Sequence, residues 1–207
     1  MVPRPPAAPR PLLEPWPAGK VIVRCHAPRY GEREFNPTTH LARFRPFLHD
    51  GEIVPTAYGA DDLAGAVSET VFHDVPVRGP NRRILRGRLE QWVWCEVSPT
   101  RDLTLVKLHG TGLKRLQVTH GELIECDPSH YADTVPWAVA LHDADPRIDG
   151  LCWRSRQHND SLAVILFGTR VAQSDLSVGR AAEPLALRPG GDVVYQFAEE
   201  ADITIVT

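Results

Sequence analysis

The sequence predicts an α+β fold: a single domain with a mixed β-sheet, preceded by a proline-rich N-terminal extension. The 207 residues suit one domain with a short extension. A hydrophobic content of 43% beside 24% charged residues is typical of a globular protein and argues against a disordered chain. Short strand patterns also outnumber helical ones. We therefore assign residues 1–19 to the extension and residues 20–207 to the domain.

The N-terminal extension is defined by its proline content. Seven of the 19 prolines of the chain fall between Pro3 and Pro17. Because proline has a fixed φ and no backbone N–H, this stretch favours an extended arm on the surface. A disordered tail is the alternative. The stretch lacks the continuous apolar run of a secretory signal, so none is expected.

The first part of the domain combines two short strands, a long loop and one helix. The predicted elements are a strand at residues 21–24, a loop at residues 28–52, a strand at residues 53–58 and a helix that begins at residues 61–62 and ends before residue 76. Asp61 or Asp62 can cap the helix, and negative charge suits a helix start. Apolar residues then continue at helical spacing as far as Val71.

The second part of the domain is richer in strands. Its predicted elements are strands at residues 85–97, 103–108, 149–153, 162–167, 193–197 and 203–206, with a helix at residues 129–142. Residues 85–97 alternate between two faces, which is typical of a strand with one buried face. Residues 162–167 are continuously apolar between Asp160 and Gly168, which indicates a buried central strand.

Charge, hydropathy and cysteine content restrict the partners and the compartment. The formal net charge is −3, whereas nucleic-acid-binding domains are normally basic, so we expect no direct nucleic-acid contact. No run of about 18 apolar residues occurs, so we expect no membrane span. The four cysteines form no Cys-x-x-Cys pair, which favours buried free thiols and a cytoplasmic location.

Signatures of common enzyme and metal sites are missing from the sequence. It contains no Gly-x-Ser-x-Gly elbow, no phosphate-binding P-loop and no His-Glu-x-x-His motif. The nine histidines show no tight ligand spacing. We therefore expect surface or core-edge histidines and no metal site.

Five short motifs nevertheless follow one another along the chain. They are an arginine that ends the first strand (Val23-Arg24), an arginine–aromatic pair (Arg43-Phe44), a Pro-x-x-Tyr strand (Pro55 to Tyr58), a glutamate in the next helix (Ser68-Glu69) and a late serine before a hydrophobic strand (Arg154-Ser155). Together they resemble the RES-domain family, named for its Arg, Glu and Ser. The resemblance covers about residues 20–170, and the order of the motifs carries it.

This resemblance implies a fold similar to that of ADP-ribosyltransferases and an activity on NAD⁺. Family members are typically toxins of toxin–antitoxin pairs that break the nicotinamide–ribose bond. Water or inorganic phosphate is the acceptor, so NAD⁺ is a substrate, phosphate a candidate co-substrate, and no separate cofactor is implied. The partner implied is an Xre-type antitoxin that occludes the pocket. The oligomeric state stays open, with a homo-oligomer as one option.

By the family match, five residues would line the NAD⁺ site: Arg24, Arg43, Tyr58, Glu69 and Ser155. Glu69 and Arg24 would be the catalytic pair, because a carboxylate stabilises positive charge on the ribose and a guanidinium binds phosphate oxygens. Tyr58 offers a flat face for the nicotinamide ring. Ser155 has no nucleophile-elbow context, so positioning of the substrate or of Glu69 suits it better.

Two other functions are compatible with the same motifs. The protein could transfer ADP-ribose to a macromolecule, since the same bond breaks and only the acceptor differs. It could also be a RES-like module that binds NAD⁺ without turnover. One departure favours the second alternative: many family members carry Gly-Gly before the second arginine, whereas Leu41-Ala42 precede Arg43 here.

Overall fold

The computed structural model describes residues 1–38 and 42–207. The strands are β1 (Leu13–Trp16), β2 (Ile22–His26), β3 (Phe47–His49), β4 (Glu52–Val54), β5 (Thr56–Ala60), β6 (Arg83–Leu85), β7 (Val93–Pro99), β8 (Leu103–Lys107), β9 (Gly150–Arg154), β10 (Leu162–Phe167), β11 (Leu176–Pro184) and β12 (Thr204–Val206). The α-helices are α1 (Leu63–Ser68), α2 (Thr111–Arg115), α3 (His120–Leu123), α4 (Tyr131–Ala144) and α5 (Gly190–Glu200). Short 3₁₀ helices cover Arg86–Gln91, Pro128–His130 and Gln173–Asp175.

Eight of these strands form the main sheet, in the order β1-β8-β9-β10-β5-β2-β7-β11. β8 and β9 run parallel, and the other neighbouring strands are antiparallel. Two further pairs, β12–β6 and β3–β4, form small sheets of their own. The predicted α+β fold with a mixed sheet is therefore confirmed, while its likeness to ADP-ribosyltransferases stays a prediction.

One face of the main sheet encloses a hydrophobic core. All eight strands contribute buried side chains to a single cluster on this face. Leu162, Val164 and Leu166 of β10 enter it, because alternate residues of a strand share a face. The cluster also joins Trp16 of the edge strand β1 to Leu176 of the opposite edge strand β11. The sheet must therefore curl around this core.

Helices cover the outer face of the curled sheet in two separate groups. α4 packs Trp137 over the outer side of β8, β9 and β10, where Ile165 belongs to the same cluster. α1 and α5 cover β2, β5 and β7 and place Val67 and Phe197 in another cluster. Every residue of β10 is buried as a result, which confirms the central strand predicted at residues 162–167.

The proline-rich extension is anchored on this fold. β1 pairs with β8, and the Trp137 indole N–H donates to the Pro3 carbonyl oxygen at 2.7 Å. The Val2 side chain is buried in the cluster beneath α4. Residues before position 20 thus supply an edge strand to the main sheet. The domain boundary predicted at residue 20 stays a prediction.

The strand predicted at residues 53–58 is in fact two strands in different sheets. Pro55, which has no N–H to give to a ladder, separates β4 from β5. β4 pairs with β3 in a hairpin that begins inside the predicted loop of residues 28–52. Asp50 and Gly51 turn this hairpin with φ values of 50° and 83°. This Asp-Gly pair is typical of two-residue hairpin turns.

The single strand predicted at residues 85–97 is also wrong. Its first half is the 3₁₀ helix Arg86–Gln91, in which Leu89 is the buried residue, and β7 starts only at Val93. Leu85 ends β6 and is exposed, whereas Leu89 is buried, so the two leucines do not share one buried face as the alternation predicted. The alternation of apolar and polar residues alone therefore did not distinguish a 3₁₀ helix from a strand.

The strand predicted at residues 193–197 is wrong as well, because these residues lie in α5. The buried positions Val194, Phe197 and Ala198 follow the i, i+3, i+4 spacing of a helix face. Tyr195 points away from the core and is 45% exposed. The Val-Val pair suggested a strand from local propensity, and burial of one helical face overrides it.

The helix predicted from Asp61–Asp62 is present as α1 but ends at Ser68, well before Pro76. The Asp62 carboxylate caps it by accepting from the Gly65 N–H at 2.6 Å. The same carboxylate accepts from the Ser161 hydroxyl at 2.8 Å, which ties α1 to the start of β10. A Cβ at Gly65 would lie 2.5 Å from the Ser161 Cβ, so this close approach requires glycine.

The cysteines are free thiols as predicted, and three of the four are buried, while Cys25 is partly exposed. Burial raises the pKa of the Cys95 thiol to about 11 and that of the Cys152 thiol to about 12. Both thiols therefore stay protonated at neutral pH and pack as small apolar groups.

Among the described residues, no helix combines the length and apolar character that crossing a bilayer requires.

Candidate active site

A cleft of about 530 Å³ lies between the two helical groups on the outer face of the main sheet. The wall is built from β2, β5, α1, α4, β9 and the loop that precedes β3. Four of the five predicted site residues line this cleft, namely Arg24, Arg43, Tyr58 and Glu69. Ser155 is fully buried next to it. Residues from distant parts of the chain thus meet at one place.

Arg24 of β2 is 6% exposed, and its guanidinium donates hydrogen bonds to backbone carbonyl groups. Its Nε donates to the Tyr58 carbonyl oxygen at 3.2 Å and its Nη2 to the Glu34 carbonyl oxygen at 2.9 Å. Its Nη1 donates to the Glu32 carbonyl oxygen. Burial lowers the pKa of this guanidinium, yet arginine stays charged at neutral pH. Arg24 therefore ties the 31–34 loop to β5 and leaves at most two N–H groups for a ligand.

Gly59 makes this position of Arg24 possible. A Cβ at Gly59 would lie 2.4 Å from the Ile22 Cγ2 atom, 2.9 Å from the Val23 carbonyl oxygen and 3.3 Å from the Arg24 Cγ atom. β5 can therefore approach β2 at the wall of the cleft only because this residue has no side chain.

Tyr58 of β5 holds the backbone of the loop that carries Arg43. Its hydroxyl donates to the Arg43 carbonyl oxygen at 2.6 Å. Burial raises the pKa of this phenol above its usual range, so the hydroxyl remains a donor. The predicted role of Tyr58 was to stack on a nicotinamide ring. The geometry adds a second role, which is to anchor the Arg43 segment.

Arg43 is 4% exposed, and the described residues satisfy its guanidinium only in part. Among the described residues, its Nε and Nη2 atoms have no hydrogen-bond acceptor, while Nη1 lies 3.6 Å from the Glu69 Oε2 atom. The guanidinium carbon lies 5.5 Å from the Tyr131 ring centroid and 5.9 Å from that of Trp153. Buried donors without acceptors are costly, so the Nε and Nη2 edge of this guanidinium suits the oxygens of an anionic ligand.

The next residue, Phe44, holds this segment in an unusual conformation. Its φ of 53° lies in the left-handed region, which is rare for a bulky side chain. Packing stabilises it, because the ring is fully buried and its centroid lies 5.6 Å from that of Trp153. Its N–H donates to the Thr134 hydroxyl of α4 at 2.9 Å. Leu41, at the departure from the family's Gly-Gly pattern, and His40 lie outside the described residues.

Glu69 directly follows α1 and turns its carboxylate into the cleft wall. Its Oε1 atom accepts from the Arg156 backbone N–H at 3.1 Å, and its Oε2 atom faces Arg43. The side chain is 15% exposed. Because α1 ends at Ser68, Glu69 is not on the solvated face of a longer helix, and two fixed partners orient its carboxylate.

Ser155 lies behind Glu69 and does not line the cleft. Its Oγ lies 2.9 Å from the Ser68 Oγ and also accepts from the His158 N–H at 3.3 Å. Ser68 precedes Glu69, and the residue after Ser155 donates its N–H to the Glu69 carboxylate. Of the two roles predicted for this serine, positioning of Glu69 suits the geometry, and contact with a substrate in the cleft does not.

One set of cleft residues was missed by the sequence motifs. The Tyr131 hydroxyl lies 2.8 Å from the His73 Nε2 atom, and the His73 Nδ1 atom lies 2.8 Å from the Asp74 Oδ1 atom. Arg88 donates to the Asp74 Oδ2 atom at 3.1 Å. Tyr131, Arg88 and the adjacent pair His73–Asp74 come from three separate parts of the chain and match no spacing rule, so only the fold reveals these contacts.

The cleft wall offers no group of three metal-ligating side chains among the described residues. The two such groups in this part of the chain lie elsewhere, one at Glu14, His109 and Cys152 and one at His49, His142 and Asp143. Cys25 lines the cleft, but burial raises the pKa of its thiol, which disfavours the reactive thiolate at neutral pH. The chemistry available in the cleft is that of guanidinium, carboxylate, phenol and imidazole.

Comparison with known proteins agrees with this architecture. The chain matches a chain in the crystal structure of the M. tuberculosis MbcT–MbcA toxin–antitoxin complex with a TM-score of 0.62 and 14% sequence identity, over 90% of this chain and 92% of that chain. At this identity the likeness shows a shared fold. A search of the curated proteins finds no match. The family model of the RES domain matches residues 21–187 of this chain, and these residues include all five motifs. The chain therefore belongs to the RES-domain family.

Proposed function

We propose that this protein is an NAD⁺-cleaving toxin of a toxin–antitoxin pair. The observation that carries the proposal is the pair formed by Arg43 and Glu69 in the cleft. A buried guanidinium, two of whose nitrogen atoms have no partner among the described residues, stands 3.6 Å from an oriented carboxylate. This arrangement combines a site for phosphate with a site for developing positive charge, and NAD⁺ presents both.

Arg43 is the residue that we propose to bind the pyrophosphate. A guanidinium fork matches phosphate oxygens in two parallel hydrogen bonds. The Nε and Nη2 atoms of Arg43 are two adjacent donors without a partner among the described residues. Arg24 has a smaller share in substrate binding than the family match implies, because three backbone carbonyls occupy its donors. We propose that Arg24 acts by holding the cleft wall in shape.

Glu69 is the residue that we propose to act at the scissile bond. The bond between the ribose C1′ and the nicotinamide nitrogen breaks, and its electron pair leaves with neutral nicotinamide. The positive charge that remains on the ribose is stabilised by a nearby carboxylate. An oxygen of water or phosphate then bonds to C1′ and its proton is released to solvent. Arg43 and the Arg156 N–H keep the carboxylate oriented throughout.

The partner that we propose is an antitoxin protein of the Xre type. The family resemblance supports this partner, and the chain of similar fold comes from a toxin–antitoxin complex. Expression of the protein alone should stop growth, and co-expression of the adjacent reading frame should restore it. Toxicity that persists with the co-expressed partner would exclude that reading frame as the antidote.

The direct test is release of nicotinamide from NAD⁺ by the purified chain. We expect Glu69→Gln to lower the rate roughly 100-fold or more, because one oriented charge at a transition state is commonly worth that much. The matched control is Glu199→Gln, which changes an exposed glutamate on α5 and should leave the rate unchanged. Full activity of a folded Glu69→Gln variant would remove the proposed mechanism.

The reaction products identify the molecule that accepts the ADP-ribose group. Phosphate that increases the rate and yields a phosphorylated ADP-ribose favours phosphorolysis, whereas a rate and product independent of phosphate favour hydrolysis. Labelled NAD⁺ that leaves label on protein or nucleic acid would favour a transferase. Tight NAD⁺ binding with no turnover would favour the non-catalytic module.

A further inference from the structure

Two histidines and one aspartate from distant parts of the chain meet outside the cleft. His49 ends β3 in the β3–β4 hairpin, and His142 and Asp143 lie in the last turn of α4. One ligating atom from each of these three side chains lies within 4.8 Å of the other two. The two histidines are 93 positions apart in sequence, which explains why no ligand spacing is visible there.

The three side chains converge on one carboxylate oxygen. The His49 Nε2 atom lies 2.6 Å from the Asp143 Oδ1 atom, and the His142 Nδ1 atom lies 3.2 Å from the same oxygen. The two imidazole rings meet at 62° with their centroids 4.7 Å apart. Their ligating nitrogens therefore approach a common point from different directions.

The second nitrogen of each ring also faces an orienting group. The His142 Nε2 atom lies 3.2 Å from the Thr169 hydroxyl oxygen, and the His49 Nδ1 atom lies 3.5 Å from the Asp50 Oδ2 atom. In the tautomer whose Nε2–H donates to Thr169, the His142 Nδ1 atom offers its lone pair to an ion held at Asp143. Metal-binding histidines characteristically have such a partner on the opposite nitrogen.

We propose that His49 Nε2, His142 Nδ1 and Asp143 Oδ1 bind a divalent transition-metal ion of the Zn²⁺ type. Two imidazoles and one carboxylate supply three ligands of a tetrahedral site, and the exposed side of Asp143 leaves the fourth position to water. Binding replaces the proton now shared between His49 and Asp143, and that proton is released to solvent. Nitrogen ligands favour Zn²⁺ over Mg²⁺ or Ca²⁺, which prefer oxygen.

The position of this site gives the ion a structural role. It joins the β3–β4 hairpin to α4, where the Phe47 ring already packs against His142 at 5.6 Å between centroids. The same hairpin continues the segment of Arg43 and Phe44, which hydrogen-bonds to α4 through Thr134. A bound ion would therefore fasten the Arg43 segment from its far end.

The other group of ligand-type residues is less suited to an ion. Cys152 is fully buried and donates to the Val106 carbonyl oxygen at 3.5 Å, and burial raises the pKa of its thiol to about 12. A thiol must lose its proton to ligate a metal. This group therefore serves as a control for specificity.

The test is a Zn²⁺ titration of the chelator-treated full chain in competition with a chromogenic chelator. We expect one equivalent to bind, and His49→Gln and Asp143→Asn each to weaken binding at least about 100-fold, because each removes a direct ligand. Thr169→Val should weaken it about 10- to 100-fold, as losses of such orienting partners do. His109→Gln, in the other group, should leave the affinity unchanged.

Two outcomes would overturn the proposal. One is a wild-type chain that binds no Zn²⁺ in the competition, and the other is unchanged affinity in folded His49→Gln and Asp143→Asn variants. Asp143 is half-exposed, so its variant should fold even if a substitution of buried His142 does not. Co²⁺ substitution separates the two groups, because a thiolate-to-cobalt charge-transfer band would assign the ion to Cys152 instead. The titration does not depend on NAD⁺ cleavage, so its result is independent of the proposed function.

Discussion

Replacing Tyr58 with phenylalanine removes one oxygen atom from the cleft wall and separates two roles of this residue. The hydroxyl lies 2.6 Å from the Arg43 carbonyl oxygen, whereas the ring itself is kept in the variant. A stacking role alone would leave activity unchanged. An anchoring role would lower activity although the ring is still present. We expect the second result.

The magnitude follows from the contact that is lost. A hydrogen bond between neutral groups contributes about 1 kcal/mol net, and an acceptor left unpaired in a buried site costs about 1–3 kcal/mol. For a domain of this size, each kcal/mol lowers Tm by about 2–4 °C. If about 1.4 kcal/mol of transition-state stabilisation is lost because Arg43 moves away from Glu69, nicotinamide release falls about tenfold.

The assay combines thermal unfolding with nicotinamide release. Tyr195→Phe is the matched control, because that tyrosine lies on α5 and is 45% exposed. The control should change neither Tm nor rate. A Tyr58→Phe variant with the Tm and the rate of the wild type would refute the anchoring role.

Three further substitutions test other contacts. Arg43→Lys keeps the charge but lacks the planar fork, so we expect NAD⁺ affinity by calorimetry to fall about 10- to 100-fold, and equal affinity would contradict the pyrophosphate role. Gly65→Ala should destabilise the fold in urea unfolding, although helix propensity alone predicts a gain of about 1 kcal/mol, because the new Cβ would lie 2.5 Å from the Ser161 Cβ. Burial lowers the pKa of His26 below its ordinary value, so the unfolded chain takes up this proton first and stability falls as pH drops through about 6.5. His26→Gln should reduce this loss of stability at low pH. The same pH dependence of the free energy of unfolding in both proteins would contradict this explanation.

Elements whose pattern had one physical interpretation were predicted well. Residues 162–167 are apolar without interruption, and only burial on both faces of a sheet suits such a short run, as β10 shows. Residues 193–197 carried two patterns at once. The Val-Val pair favours a strand locally, while Val194, Phe197 and Ala198 form a helical stripe whose burial decides the outcome.

The residues of the candidate site were predicted better than their contacts. Ordered motifs identified Arg24, Arg43, Tyr58 and Glu69, which the fold brings to one cleft. Their individual contacts could not be read from the motifs, because the partners of Arg24 are backbone carbonyls of other segments. The contact of Tyr131 with His73 was invisible for the same reason, since it joins positions 58 apart in the chain.

The amino-acid sequence by itself determined the α+β class, the central strand, the free cysteines and membership of the RES-domain family. These properties depend on composition, local periodicity and motif order, all of which are linear along the chain. Only the tertiary structure decided that Arg43, within the described part of the chain, keeps two donors without acceptors beside Glu69, that Ser155 stands behind the cleft, and that two histidines meet at Asp143. Hydrogen bonds and ligand sets act over about 3 Å in space, and the curl of the sheet sets which distant residues come that close.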